Sequence, residues 1–244
     1  MNGEHIPQTM NTGFKKLQVK IILALSEKEA EKKGKDAHQY YRDALRELKK
    51  LAKDDERQAG EIYRFANEHA LMLDNLSYDE LGPLGCLAIA DWNFNQKQYD
   101  KAVIYYQRLT SSSDTMIRKR MDDVYFRLGY CFSQKGMWQD AVSFFESLFK
   151  KFPRSSFTGE AACLYYVAAT NSHKKNPRNS AYLKYIKATK NYLKHCNDTK
   201  DKSEAHFQLG KYYQDKGNTK KALKEFSRVN KDSPNCTTWY LASV

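Results

Sequence analysis

The chain has 244 residues, with 41 Lys and Arg against 29 Asp and Glu, which gives a formal net charge of +12 at neutral pH. Gly and Pro are sparse, at 11 and 5 residues, and the long runs of Lys, Leu, Ala, Glu and Gln have helical periodicity, which excludes a loop-rich or β-rich fold. No apolar run approaches the roughly 18 residues that span a bilayer, which excludes a transmembrane helix.

The N-terminal third is predicted to be helical after a short tail. Residues 1–12 are polar and aperiodic, so we expect them to form a flexible tail. Residues 13–82 are predicted to form helices, because apolar side chains recur three and four positions apart. We interpret this region either as a degenerate repeat or as helices that cap a binding groove.

Residues 83–236 contain an internal repeat. Predicted helices at 84–94 and 99–109 form a first, weaker copy, and two clearer copies with identical offsets follow. These are Tyr125, Leu128, Gly129, Phe132, Gly136, Ala141, Phe145 and Pro153, then His206, Leu209, Gly210, Tyr213, Gly217, Ala222, Phe226 and Pro234. The pattern resembles the tetratricopeptide repeat of about 34 residues. The resemblance implies an all-α fold, a right-handed α-solenoid of helix-turn-helix repeats.

Packing explains why these residue types recur. Gly and Ala at facing positions let two helices approach closely, large aromatic side chains fill the layer between repeats, and Pro ends the second helix.

The repeat spacing is interrupted twice. Ala141 follows Ala102 by 39 residues, so about five extra residues are expected around 111–121, where they would lengthen the start of the next helix. Gly210 follows Gly129 by 81 residues, which leaves a 47-residue middle unit whose extra residues are placed around 174–179. Residues 237–244 are predicted to begin a further helix.

The junction at 149–162 bears a weaker resemblance to bacterial cell-envelope tetratricopeptide proteins, through Phe152, Pro153, Ser155 and Phe157 followed by Glu160 and Ala161. Proteins of that group carry an export signal. The first 13 residues have neither a basic leader nor an apolar core. We therefore expect a cytoplasmic location for the chain as written, and a periplasmic one if an export signal was trimmed from it.

Each of the five cysteines is 32 to 45 residues from the next one along the chain, and no two form a CxxC pair. This spacing predicts neither a metal site nor a disulfide framework, but small buried side chains in a reducing compartment. The six histidines show no catalytic spacing with Ser, Cys or a carboxylate, and no nucleotide-binding or hydrolase motif is present. The sequence therefore predicts a protein that is not an enzyme and has no cofactor or metal.

The resemblance also implies where a partner would bind. Family contact positions, carried over by register, give a concave groove lined by Leu87, Asp91, Phe94, Phe126, Tyr130, Phe207 and Lys211. Such a groove would dock a peptide or helix of a partner protein, as in a scaffold or adaptor for complex assembly. Aromatic residues at helical spacing fit a protein core equally well, and the N-terminal helices can also fill the groove.

Charge adds a second hypothesis. Residues 171–231 contain sixteen Lys or Arg against five Asp or Glu, whereas 54–91 contain nine acidic residues against two Arg. Four lysines at helical spacing, Lys184, Lys187, Lys190 and Lys194, predict one basic face. We interpret this basic quarter as attracting an acidic protein partner. The alternatives are RNA or an anionic surface, a solvated helix face, and a structural piece of a larger assembly or homo-oligomer.

Overall fold

A computed structural model of the chain describes residues 37–54, 59–196 and 202–229, together with five isolated helical positions, Leu17, Lys20, Ile21, Ala24 and Lys28. These residues form twelve continuous helices, and no strand occurs among them. The all-α prediction is confirmed. The predicted tail at 1–12, the repeat residue Pro234 and the helix predicted from 237 lie outside the described residues.

The chain divides into two compact units, one ending at Met121 and the other beginning at Asp122. The first unit contains α1 (Ala37–Asp54), α2 (Ala59–Glu68), α3 (Ala70–Leu73), α4 (Tyr78–Asn95), α5 (Tyr99–Leu109) and α6 (Thr115–Lys119). The second contains α7 (Met121–Gln134, which begins at the boundary), α8 (Trp138–Lys151), α9 (Thr158–Lys175), α10 (Asn179–His195), α11 (Ser203–Asp215) and α12 (Thr219–Phe226). Consecutive helices pack as pairs, among them α4 with α5, α9 with α10 and α11 with α12.

Helix α4 contains a kink at Gly82, whose φ of 69° and ψ of 173° are non-helical, followed by Pro83. At the kink, the carbonyl groups of Asp79 and Glu80 lose their usual helical donors. Pro83 has no N–H group to donate to Asp79, and the non-helical backbone at Gly82 directs the following N–H group away from Glu80. The ammonium group of Lys49 in α1 donates to these two oxygens, at 2.7 and 2.9 Å. Lys49 therefore joins α1 to the kink.

The two clear repeats have the packing that the sequence predicts. A Cβ atom at Gly129 would lie 2.6 Å from Cε1 of Phe145, and the ring of Phe226 lies in the same way against Gly210. Real side chains do not approach so closely, so α7 and α8 can contact at this distance only because position 129 is Gly. Helix α8 ends at Lys151, two residues before the predicted stop at Pro153.

The two predicted insertions take a different form. Residues 111–120 do not lengthen the next helix, which begins at Met121. They form a loop and the separate short helix α6, because the side chain of Asp114 caps a new helix start by accepting from the N–H groups of Met116 and Ile117. In the 47-residue middle repeat, the extra residues mostly extend the two helices α9 and α10. Helices α9 and α10 have 18 and 17 residues, against 14 in α7 and in α8, and only residues 176–178 link them.

The prediction of no disulfide was wrong for one pair. Cys163 and Cys196 form a disulfide with their Cα atoms 5.2 Å apart. Their separation of 33 residues resembled a repeat interval, but it reflects the α9–α10 hairpin, in which the end of α10 returns to the first half of α9. Cys86 and Cys131 are buried free thiols, as predicted, and burial raises the pKa of each to about 12.

Candidate protein-binding surfaces

In the first unit, two predicted groove residues are buried. Leu87 is fully buried and Asp91 is 3% exposed. The Asp91 carboxylate accepts hydrogen bonds from the hydroxyl groups of Tyr63 and Tyr106, at 2.6 and 2.5 Å, and from the guanidinium group of Arg120 at 3.2 Å. Asp91 is thus the centre of an internal polar cluster, which satisfies a charge that is costly to bury alone.

Helix α2 covers these positions of α4. Besides the Tyr63 contact, the side-chain amide of Asn67 donates to the carbonyl oxygen of Ala88 at 3.2 Å. The guanidinium group of Arg120 lies 5.3 Å from the centre of the Tyr63 ring. Burial, and then the nearby Asp91 carboxylate, raise the pKa of Tyr63. A partner could reach Asp91 only by displacing α2.

The predicted aromatic groove residues pack against other rings of their own unit. Phe94 is half-buried, with the ring of Tyr99 at 6.0 Å in edge-to-face geometry. Phe126 is 6% exposed and stacks on Phe157 at 4.8 Å, and Tyr130 is half-buried beside it. These contacts fit the core interpretation of the aromatic pattern.

The two predicted groove residues of α11 contact each other. Phe207 is half-buried with its ring 6.0 Å from that of Phe226, and the exposed Lys211 places its ammonium group 5.8 Å from the centre of the Phe207 ring. Lys211 is the one exposed member of the seven predicted groove residues.

The four lysines predicted to form one basic face have different neighbours in the structure. Glu146 of α8 lies 3.1 Å from the ammonium group of Lys187 and 3.9 Å from that of Lys184, and it accepts a hydrogen bond from Tyr165. This carboxylate offsets the first half of the face. Lys194 is exposed. Sequence spacing could not reveal Glu146, because it lies 41 residues from Lys187.

Lys190 instead contacts α11. Its ammonium group lies 5.1 Å from the ring centre of Tyr212 and 5.3 Å from that of Tyr213, and Lys221 of α12 approaches Tyr213 at 5.4 Å. Two ammonium groups from different helices thus meet at Tyr213. The sequence pattern identifies Tyr213 as a repeat position and predicts no binding role for it.

Further exposed lysines lie on or next to α11 and α12. We call the following six residues, all exposed, the basic surface: Lys190, Lys211, Lys216, Lys220, Lys221 and Lys224. Asp215, the last residue of α11, is exposed next to Lys216. Glu225, the acidic residue of α12, is buried and contacts His206 at 2.8 Å and Arg228 at 3.4 Å. Its charge is therefore engaged within the repeat.

Family comparison agrees with the geometry of the paired helices. Two models, both described as tetratricopeptide repeat, match the sequence, one at residues 87–113 and 123–155 and the other at 203–235. These segments are tetratricopeptide repeats. Such repeats generally mediate protein–protein interactions and are typically non-catalytic.

Several solved structures are similar to the chain. An ArsTM double mutant of MamA RS-1 has 17% identity and a TM-score of 0.39, and MamA 41-end from Desulfovibrio magneticus RS-1 has 16% and 0.38. Each match covers 86% of this chain and 92% of the other. BtubC from P. vanneervenii has 15% identity and a TM-score of 0.38, over 92% of this chain and 90% of that one. No curated protein matches the sequence.

Neither a metal site nor a membrane-spanning helix occurs in the described part of the chain. There, no group of three or more His, Cys, Asp or Glu is arranged to hold a metal ion. None of the helices in the same ranges is both long enough and apolar enough to cross a membrane.

Proposed function

We propose that this tetratricopeptide repeat protein is a non-catalytic scaffold that binds an acidic segment of a partner protein at its C-terminal repeats. The observation that supports this most is the meeting of Lys190 and Lys221 at the ring of Tyr213. Among the described residues, no carboxylate lies within 4.0 Å of either ammonium group.

Charge and distance favour an acidic ligand at this position. Both ammonium groups lie within 5.4 Å of one ring centre, so they are at most about 11 Å apart. A carboxylate beside this ring would be attracted by both, and no internal ion pair would have to break first. The Tyr212 and Tyr213 rings would add apolar contact to the same segment.

The exposed part of the predicted groove extends the proposed site. Leu87, Asp91 and Phe126 are buried within their own units, so binding there would require repacking of the core. Phe207 and Lys211 need no such change and are the groove residues that we assign to partner binding.

The lysine-rich composition favours an acidic protein over RNA. Residues 171–231 contain fourteen Lys and two Arg, and Lys is a point charge without the planar fork that reads bases. Tyr212 and Tyr213 are half-buried against neighbouring helices and lysines, whereas single-stranded RNA is usually bound on exposed rings.

Fluorescence anisotropy with a labelled peptide rich in Glu and Asp tests the proposal. We expect the Lys190→Glu/Lys221→Glu variant to bind about tenfold more weakly than wild type. A matched control, Lys119→Glu/Lys150→Glu, changes the net charge equally at two exposed lysines elsewhere and should bind within about threefold of wild type. Phe207→Ala should weaken binding to an acidic peptide that also carries apolar residues.

Two results would overturn the proposal. Equal weakening in both charge-reversal variants would show that only the overall charge attracts the peptide. Tighter binding of a labelled single-stranded RNA, with a steep loss of affinity as salt rises, would favour the RNA alternative.

A further inference from the structure

The Cys163–Cys196 disulfide lies where three helices of the second unit meet. Cys163 is in the first half of α9, and Cys196 follows the last residue of α10. The carbonyl oxygen of Cys196 accepts a hydrogen bond from the ammonium group of Lys202 at 2.9 Å. Lys202 directly precedes α11, so Cys196 connects the disulfide to the start of the helix that carries Phe207, Lys211 and Tyr213.

Apart from the disulfide, the end of α10 is held by noncovalent contacts only. In the middle of the helix, Ile186 and Ala188 are buried, whereas in the last turn Leu193 is half-buried and Lys194 is exposed. Near this end Tyr192 stacks on Tyr166 at 4.6 Å, and the ring of His195 lies 6.0 Å from that of Phe149. Helix ends open more readily than helix middles, so a covalent link has its largest effect at such an end.

We infer that the Cys163–Cys196 disulfide is a redox-sensitive clamp, which holds the end of α10 and the start of α11 in the arrangement that forms the basic surface. The regulation of partner binding by this clamp rests on the proposed function. The clamp itself does not.

Reduction by a dithiol would open the clamp in two exchange steps. Cys163 is half-buried and Cys196 buried, so the thiolate of the reductant attacks Sγ of Cys163 and displaces the thiolate of Cys196, which takes up a proton. The second thiol of the reductant then displaces Cys163, which is protonated in turn. The protein gains two electrons and two protons, and the dithiol becomes a disulfide.

The other described thiols are poor competitors in this exchange. Cys86 and Cys131 are fully buried, and burial raises the pKa of each to about 12. Since the thiolate is the attacking species, both cysteines are nearly unreactive near neutral pH. Either can therefore be replaced as a control without removing the clamp.

Hydrogen exchange of the full 244-residue chain tests the clamp. After oxidation with a glutathione mixture, alkylation and peptide mapping should find Cys163 and Cys196 protected. Dithiothreitol should then raise amide exchange at 192–196 and 203–206 by about tenfold and lower the melting temperature by roughly 5–15 °C. Cys163→Ser should show both effects without dithiothreitol, and Cys131→Ala should keep the response of wild type.

Two outcomes would overturn the clamp. One is alkylation of Cys163 and Cys196 in the oxidised protein, and the other is unchanged exchange at 192–206 after reduction.

Peptide binding is measured on the same samples to test the regulation. Reduction should weaken binding of the acidic peptide by about fivefold or more, and unchanged affinity would contradict the regulation. If the oxidised protein does not bind the peptide at all, the proposed function is wrong. The hydrogen-exchange data would still test independently whether the disulfide is a clamp.

Discussion

Gly129 lies directly against the ring of Phe145, so that a Cβ atom at position 129 would be 2.6 Å from Cε1 of Phe145. Phe145 is fully buried and has little room to move. We expect Gly129→Ala to lower the free energy of unfolding by about 1–3 kcal/mol, because the α7–α8 pair must separate or the ring must shift. Urea denaturation followed by circular dichroism measures the change.

Gly60 supplies the control for this substitution. It lies in α2, and an added Cβ would have no heavy atom within 4 Å. Gly60→Ala should therefore be neutral or slightly stabilising, since Ala is the better helix former by up to about 1 kcal/mol. If both variants lose the same stability, close packing at Gly129 is not the cause.

The cluster around Asp91 should be strongly coupled. Asp91→Asn weakens three interactions at a residue that is 3% exposed, so we expect a loss of about 2–4 kcal/mol in unfolding free energy. Tyr63→Phe removes one hydrogen bond and should cost about 1 kcal/mol. A double-mutant cycle should give a coupling energy above about 0.5 kcal/mol, and simple additivity would contradict the cluster.

Lys49 should stabilise the kink in α4. Lys49→Met keeps much of the apolar stem but leaves the carbonyl oxygens of Asp79 and Glu80 without their donor, so we expect a loss of about 1–3 kcal/mol. The neighbouring Lys50 pairs with Glu47 on the exposed side of α1, and Lys50→Met should cost less than about 0.5 kcal/mol. Thermal unfolding of the two variants side by side would distinguish the roles, and equal stability would contradict them.

The free energy of unfolding should fall as the pH becomes alkaline. Burial raises the pKa of Cys86 and Cys131 to about 12, and it raises the pKa of Tyr165 and Tyr166 above the usual value of 10.0. The folded state therefore favours the protonated forms. Their contribution is complete below the unfolded-state values of 9.0 for Cys and 10.0 for Tyr, and it is lost as pH rises through the folded-state values.

Tyrosinate absorbance near 295 nm and far-ultraviolet circular dichroism check this pH dependence together. Part of the 17 tyrosines should ionise only as helical signal is lost. Ionisation of all of them before any unfolding would contradict the burial argument.

Local residue pattern was enough to predict the repeats but not the charge pairs. The identical offsets of Gly129 with Phe145 and of Gly210 with Phe226 reflect contacts between helices that are adjacent in sequence, so the spacing alone reveals them. The charge of the predicted basic face is partly offset, because Glu146 lies near Lys184 and Lys187 from another repeat. A helical spacing describes one helix and carries no information about which distant carboxylate will face it.

The sequence by itself determined the helical pairs, their Gly and Pro positions and the basic excess of residues 171–231, because each follows from local periodicity and composition. The tertiary structure decided which residues remain exposed. It buries Asp91 under α2, joins Cys163 to Cys196 and brings Lys190 and Lys221 to Tyr213. These relations depend on how helices pack across tens of residues, where small differences in helix length and loop path decide which side chains meet.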